Sequence, residues 1–271
     1  MTNQPPGGSV GETVPSVGGE SKSRALHING IAIHQYKSKT IAHKHLSEIP
    51  VIGDQLERKK DNMIRFYFEN LNGICSHDKK VDKGKFFSSI LSKLEVDCFG
   101  AVETNLNWKM TTRSPRSLLD LSTYTRTYYA CNENETTTLK QQGGTCITMM
   151  EKYGQYVLEM GKDETGLGRW TWICVKGNNG ISTKIIVAYI PCRARKSSLL
   201  STYTQQTRYW KLKGEQQCAR RKERQDLLQF IRVTKEAGDR VILMVDGNES
   251  MIQGKLATEL RKEQLGMKDP I

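Results

Sequence analysis

Apolar positions are sparse up to about residue 61 and then fall into two distinct periods. From Met1 to Ser23 the chain is Pro, Gly, Ser, Thr and Glu, including Pro5-Pro6-Gly7-Gly8 and Gly18-Gly19, with almost nothing to bury. That composition predicts a disordered tail. Residues 24–61 scatter Ile and Leu among His, Lys and Glu without a sustained period, which predicts a linker or a poorly formed helix. The run Glu57-Arg58-Lys59-Lys60-Asp61 reads as a solvated approach to a first strand. The expected organisation is therefore residues 1–61 as tail and linker and residues 62–271 as one folded domain.

From Met63 the pattern becomes β-prone. Met63-Ile64-Arg65-Phe66-Tyr67-Phe68 stops abruptly at Glu69-Asn70-Leu71-Asn72-Gly73, a strand running into a loop. Phe86, Phe87, Ile90, Leu91 and Leu94 share one face of a helix, and Val96 to Val102 reads as a buried strand ending at Glu103. Strand, helix and strand in this span have the length of a crossover unit, which predicts an α/β fold. Gly144–Met149 and Arg169–Lys176 are further strands, and Gly177-Asn178-Asn179-Gly180 supplies a turn to a hairpin partner at Lys184–Ile190. Leu227, Leu228, Ile231 and Thr234 give the next stretch an amphipathic helical face, and Arg240–Val245 is the last clear strand, ending at Asp246-Gly247-Asn248.

Charge narrows the partners. Lys and Arg number 41 against 29 Asp and Glu, a formal net charge of +12. A positive field concentrates polyanions, nucleic acid or an acidic membrane surface. No stretch approaches the roughly 18 apolar residues of a spanning helix, and the first 20 residues lack the pattern of a secretory signal. A soluble intracellular protein is expected, with nucleus or cytoplasm left open. The seven cysteines are widely spaced without a C-x-x-C pair, so free thiols rather than zinc or disulfides are expected.

Candidate chemistry sits where apolar strands stop. Asn70, Glu103, Tyr189 and Asp246 each close one, with Asn248 two residues past Asp246. Strand ends on one rim of a layered α/β fold form a rigid cleft with loops above it. Each residue alone also has an ordinary reading: Glu103 as a helix cap, Tyr189 as a half-buried aromatic, Asp246-Gly247 as turn chemistry.

In order and spacing these segments resemble the endonuclease/exonuclease/phosphatase superfamily. Phe68-Glu69-Asn70-Leu71-Asn72-Gly73 is similar to its opening N-x-N-G motif, and Asp97 to Thr104 to its strand ending in Glu-Thr. Ile186-Val187-Ala188-Tyr189-Ile190-Pro191 is similar to its Y-x-P strand end, Gly238-Asp239-Arg240 through Asp246-Gly247-Asn248-Glu249 to its G-D-x-N element, and Gly143-Gly144 to its Gly-rich third element. Tyr189-Ile190-Pro191-Cys192-Arg193 with the basic, Tyr/Gln/Trp-rich helix behind it looks most like the nuclease domains that precede reverse transcriptases in retroelements.

The resemblance implies a four-layer α/β sandwich, two packed mixed β-sheets flanked by helices, and Mg²⁺- or Mn²⁺-dependent phosphodiester hydrolysis, with DNA favoured over RNA as substrate. It implies Glu103 as the principal metal ligand, with Asn70 ligating directly or through water and Asn72 close behind. Mg²⁺ keeps several waters and needs only one or two protein carboxylates, which suits so small a set. It implies Asp246 as the group that orients and deprotonates the attacking water, and Asn248 and Tyr189 as donors to the phosphoryl oxygens.

The family closes its site with a further Asp and an Asp-His pair near the C-terminus, which have no counterpart before Ile271. All five histidines (27, 34, 43, 45, 77) lie before or just after the first strand. The domain is accordingly expected to lack its last strands, and the chain alone to be feebly active at best and poorly soluble. Arg193, Arg195 and Lys196, with Trp210 farther on, are the candidate nucleic-acid contacts. Cations interleaved with aromatics suit phosphate pairing plus base stacking, and a solvated helix face with Trp210 in the core is the alternative. A monomeric domain or a part of a polyprotein is expected. Two other functions stay open: a phosphatase of the same superfamily acting on phosphomonoesters, inositol phosphates or phospholipid headgroups, and a non-catalytic nucleic-acid-binding remnant.

Overall fold

Side-chain alternation on two pairs of parallel strands builds the centre of the molecule. The computed structural model describes residues 58–74, 83–111, 119, 121, 125–134, 138–193, 200–262 and 264–268, and the backbone of 25–28 and 31–35. Inside the stretch read as linker or poorly formed helix, β1 (Ala25–Ile28) and β2 (Ile31–Gln35) form an antiparallel pair. The expected disordered tail lies outside the described residues.

Strand β3 (Phe66–Asn70), helix α1 (Lys83–Lys93) and strand β4 (Cys98–Val102) form the predicted crossover, with β3 and β4 parallel from Phe66↔Cys98 to Asn70↔Val102. The helix forms because Phe87 and Leu91 bury against Tyr67, Phe99 and Ala101, with Phe86, Ile90 and Leu94 packed at the margin. At the far end from the strand tips, the buried Asp97 carboxylate accepts from the Arg65 backbone N–H at 2.7 Å and pairs with Lys59, locking the two strand entries together.

Strands β5 (Arg126–Ala130) and β6 (Thr145–Met149) complete this sheet in the order β1-β2-β3-β4-β6-β5. After a single turn, α2 (Glu151–Gly154), come β7 (Val157–Lys162), β8 (Trp170–Val175) and β9 (Thr183–Tyr189). The β8–β9 hairpin turns through Asn178–Gly180, as the sequence predicts. Helices α3 (Thr202–Leu212) and α4 (Ala219–Glu236) lead to β10 (Arg240–Asp246) and α5 (Lys255–Arg261). The second sheet runs β10-β9-β8-β7, with β10 and β9 parallel and level at Asp246↔Tyr189.

The two sheets pack face to face. Phe66, Phe68, Cys98, Val102, Ile147 and Met149 of the first meet Ile173, Ile185, Val187, Tyr189 and Met244 of the second. Gly100 lies on the same inner face, where a Cβ would come within 2.7 Å of Val187 Cγ2 and 2.8 Å of Met244 Cε. Only glycine lets the sheets approach this closely. The opposite face of the second sheet carries Trp170, Trp172, Ile186 and Ala188, covered by Leu227, Leu228 and Ile231 of α4 and Leu256 and Leu260 of α5. Helix, sheet, sheet, helix is the four-layer α/β sandwich expected from sequence.

A buried ion cluster joins β8 to α4. The Arg169 guanidinium, 2% exposed, donates to both Asp163 oxygens at 2.7 and 2.8 Å and to Asp226 at 2.8 Å, while stacking 4.4 Å above the Trp170 ring. The described cysteines are all free, and Cys98, Cys131, Cys146 and Cys174 are core residues, as the cysteine spacing suggested.

Candidate active site

Parity decides where the strand ends point. On β3 the inward positions are Phe66 and Phe68, and the next is Asn70; on β9 they are Ile185 and Val187, and the next is Tyr189; on β10, Met244 is followed by Asp246. Each polar residue thus continues an apolar row at the point where the facing sheet still lies opposite. Glu103, one past β4, falls on the wrong parity. Its φ of 50° ends the strand there and re-aims the chain, a conformation that costs a non-glycine residue about a kcal/mol or more.

The four ends meet across the sheets. Asn70 Nδ2 donates to Asp246 Oδ2 at 2.8 Å, and the Tyr189 hydroxyl donates to Glu103 Oε1. Because β3 ends level with β4 and β9 with β10, these two cross-links place Asn70, Glu103, Tyr189 and Asp246 on one rim.

Strands β3 and β10 finish with the same device. Asn70 Oδ1 accepts from the backbone N–H of Asn72 at 3.0 Å, and Asp246 Oδ1 accepts from that of Asn248 at 3.1 Å. Asn72 and Asn248 both adopt left-handed backbone, φ 44° and 48°. A short polar side chain that bonds the backbone two residues on, followed by an asparagine that tolerates positive φ, is what N-x-N and D-x-N spacing supplies physically. Asn248 also turns its amide onto the β9 exit, donating to Ile190 O at 3.0 Å, and its Oδ1 lies 2.8 Å from the Cys192 thiol.

The electrostatics set protonation at one group. Burial raises the Tyr189 pKa, and the adjacent Glu103 carboxylate raises it further, so the phenol stays a neutral donor. Asp246 accepts one bond at each oxygen, which leaves lone pairs open to a water.

The oxygen-only set of Glu103, Asn70 and Asp246 fits a hard, water-rich divalent ion. Among the described residues no three His, Cys, Asp or Glu side chains cluster as a tighter all-protein metal cage requires. Glu103 keeps Oε2 free of the Tyr189 bond, and Asn70 Oδ1 retains a second lone pair beside Asn72, so Mg²⁺ or Mn²⁺ has ligand atoms to take.

Of the predicted nucleic-acid contacts, Arg193 is exposed, two residues past Pro191. Arg195 and Lys196 lie outside the described residues. Trp210 requires correction: it is 7% exposed, packed on Leu167 and Ala219, with Arg169 and Lys222 cations 5.4 and 5.1 Å from its ring centre. Its faces are covered, so the core alternative describes it and base stacking does not.

Sequence reasoning missed two supports of the rim. Asn105, φ 52°, exchanges bonds with Gly143, its Oδ1 accepting from Gly143 N at 2.8 Å and its N–H donating to Gly143 O at 2.9 Å. The Gly-rich element is thereby fixed to the loop that carries Glu103. Arg220 spans the exits of β9 and β10. An asparagine three residues beyond a strand end, and an arginine on the apolar face of an amphipathic helix, were the available signals.

No family model and no curated protein matches the chain. Among solved structures it is similar to the human Nocturnin catalytic domain with bound sulfate, at 10% identity over 73% of this chain and 68% of that one, TM-score 0.47. It is also similar to an AP endonuclease from Archaeoglobus fulgidus, at 13% identity over 73% and 63%, TM-score 0.42. A third is an endonuclease/exonuclease/phosphatase from Bacteroides vulgatus, at 14% identity over 67% and 63%, TM-score 0.42. The chain spans about two thirds of the length of each.

Proposed function

We propose that this protein is a metal-dependent phosphodiesterase acting on DNA, of the kind found in retroelement nuclease domains. The observation that carries the reading is the pair of inter-sheet hydrogen bonds that gathers Asn70, Glu103, Tyr189 and Asp246 on one rim. Two carboxylates, an amide and a neutral phenol in that arrangement match the motif resemblance residue by residue.

Glu103 and Asn70 would hold the divalent ion, which supplies Lewis acidity toward a phosphoryl oxygen. Asp246, held on both sides by Asn70 and the Asn248 backbone, accepts a hydrogen bond from the attacking water and takes its proton. The Tyr189 proton, shared with Glu103 at rest, is open to competition from an incoming phosphoryl oxygen, and Asn248, whose amide nitrogen spends one N–H on Ile190 O, has a second to donate to the same charge. Asn72 keeps Asn70 oriented through its backbone N–H.

The polymer substrate is favoured by charge: a net +12 overall and exposed Arg193, Arg208, Lys211, Lys213 and Arg221 on and before the helices beside the rim. Supercoiled plasmid incubated with excess protein over a Mg²⁺ titration tests the reading. Slow nicking that EDTA stops and Asp246→Asn abolishes is expected. Hydrolysis of inositol phosphates without plasmid nicking would move the substrate to small phosphates, and binding without any hydrolysis would make the protein a nucleic-acid-binding module.

A further inference from the structure

We propose that Arg220 is a positioning residue that sets the spacing of the β9 and β10 exits, and with it the placement of Tyr189, Asp246 and Asn248. This rests on the reading of the rim as a phosphodiesterase site. Counted by sequence, Arg220 belongs to a basic stretch; in the fold it turns inward. Its side chain is 13% exposed, on the face of α4 that continues through Leu227 and Ile231.

One guanidinium nitrogen, Nη1, donates to Pro191 O at 2.6 Å; the other, Nη2, donates to Gly247 O at 3.0 Å and lies 3.4 Å from Glu249 Oε2. Pro191 is two residues beyond Tyr189, and Gly247 stands between Asp246 and Asn248. A single planar group therefore bridges the two chains just past the site. Glu249 extends the tie by accepting from the Leu256 N–H at the start of α5.

The chemistry explains why arginine stands here. Its donors are fixed in one plane, so two carbonyls bound to the same guanidinium are held at a set separation. Lysine has the charge but is a point donor on a flexible stem, and an apolar residue would fill the space without the cost of burying a cation. Asn248 Nδ2 to Ile190 O, the Cys192 thiol to Asn248 Oδ1 and Ile190 N–H to Asp246 O at 2.9 Å join the same two exits, and Arg220 is the tie that reaches past them to Pro191 and Gly247. Displacing reacting groups by about an ångström costs on the order of 100-fold in rate.

The test uses the 271-residue protein with Arg220→Lys and Arg220→Ala, each followed by single-turnover hydrolysis of plasmid and by amide hydrogen exchange. The expected result is about a 10- to 100-fold lower rate with half-saturating DNA concentration unchanged. Added guanidinium or methylguanidinium should partly restore Arg220→Ala and leave Asp246→Asn inactive. Faster exchange at the Cys192, Arg193, Asn248 and Glu249 amides, with the β4 and β9 amides still protected, should accompany the loss. Wild-type rates together with unchanged exchange in both variants overturn the proposal, as does weakened DNA binding with an unchanged saturated rate, which would make Arg220 a phosphate contact. If the unaltered protein hydrolyses nothing, the phosphodiesterase reading falls, and exchange at those four amides with its reversal by guanidinium decides the clamp by itself.

Discussion

Asn70 and Asp246, 176 positions apart in sequence and on different sheets, share a 2.8 Å hydrogen bond in which the amide donates to the carboxylate. The bond keeps Asp246 aimed into the rim. Asp246→Asn retains shape but removes the acceptor for a water proton, and the Asn70 amide then faces another amide. A loss of at least about 100-fold in single-turnover hydrolysis is expected, with circular dichroism unchanged. Near-wild-type cleavage by Asp246→Asn would remove this residue from the chemistry.

Tyr189→Phe deletes one hydroxyl and leaves the ring packed. Since burial and the Glu103 carboxylate raise the phenol's pKa, it does not ionise across the working range. The variant should lose about 10- to 1000-fold in rate without altering the shape of the pH–rate profile between pH 6 and about pH 9. A basic limb present in the wild type and missing in the variant would show the phenol titrating after all.

The Asp163–Arg169–Asp226 cluster bears on stability. Asp163→Ala leaves a guanidinium that is 2% exposed with one carboxylate instead of two, and breaking such a buried pair costs about 3–5 kcal/mol. Urea unfolding should show a lower midpoint at unchanged slope. A shift equivalent to less than about 1 kcal/mol would place the pair in the range of exposed salt bridges.

Glu69 gives stability a pH dependence. Burial raises its pKa to about 7, offset in part by the hydrogen bond from the Tyr67 hydroxyl at 2.8 Å. For an acid with a raised folded-state pKa, the favourable contribution is complete below the unfolded value near 4.5 and is lost as pH rises through about 7. Glu69→Gln keeps an acceptor for Tyr67 and does not ionise. Its melting temperature relative to wild type should therefore rise by several degrees between pH 5 and about pH 8. A constant difference across that interval would show the carboxyl titrating normally.

The central strands, α1 and α4 were legible because each follows a clean period: every apolar residue assigned to the α1 face contacts the same core, and Leu227, Leu228, Ile231 and Thr234 are all buried. The strand-end residues were legible as polar stops after apolar rows. Strands β5 and β7 were not, since both are sheet edges with mixed exposure that erases alternation. Trp210 was left between two readings, and the role of Arg220 was hidden, for a related reason. Both lie in a stretch whose charge dominates its composition, and the inward face of each helix is fixed by neighbours far away in the chain, Leu167 for the indole and Pro191 and Gly247 for the guanidinium.

Each cross-link on the rim takes one partner from each sheet, so neither half of the molecule owns a complete reactive pair. A nascent or partly melted chain with one sheet formed carries a lone carboxylate at its edge and no chemistry to go with it. On the proposed function, hydrolysis would require both sheets to be docked, so its loss would report separation of the halves even where secondary structure persists.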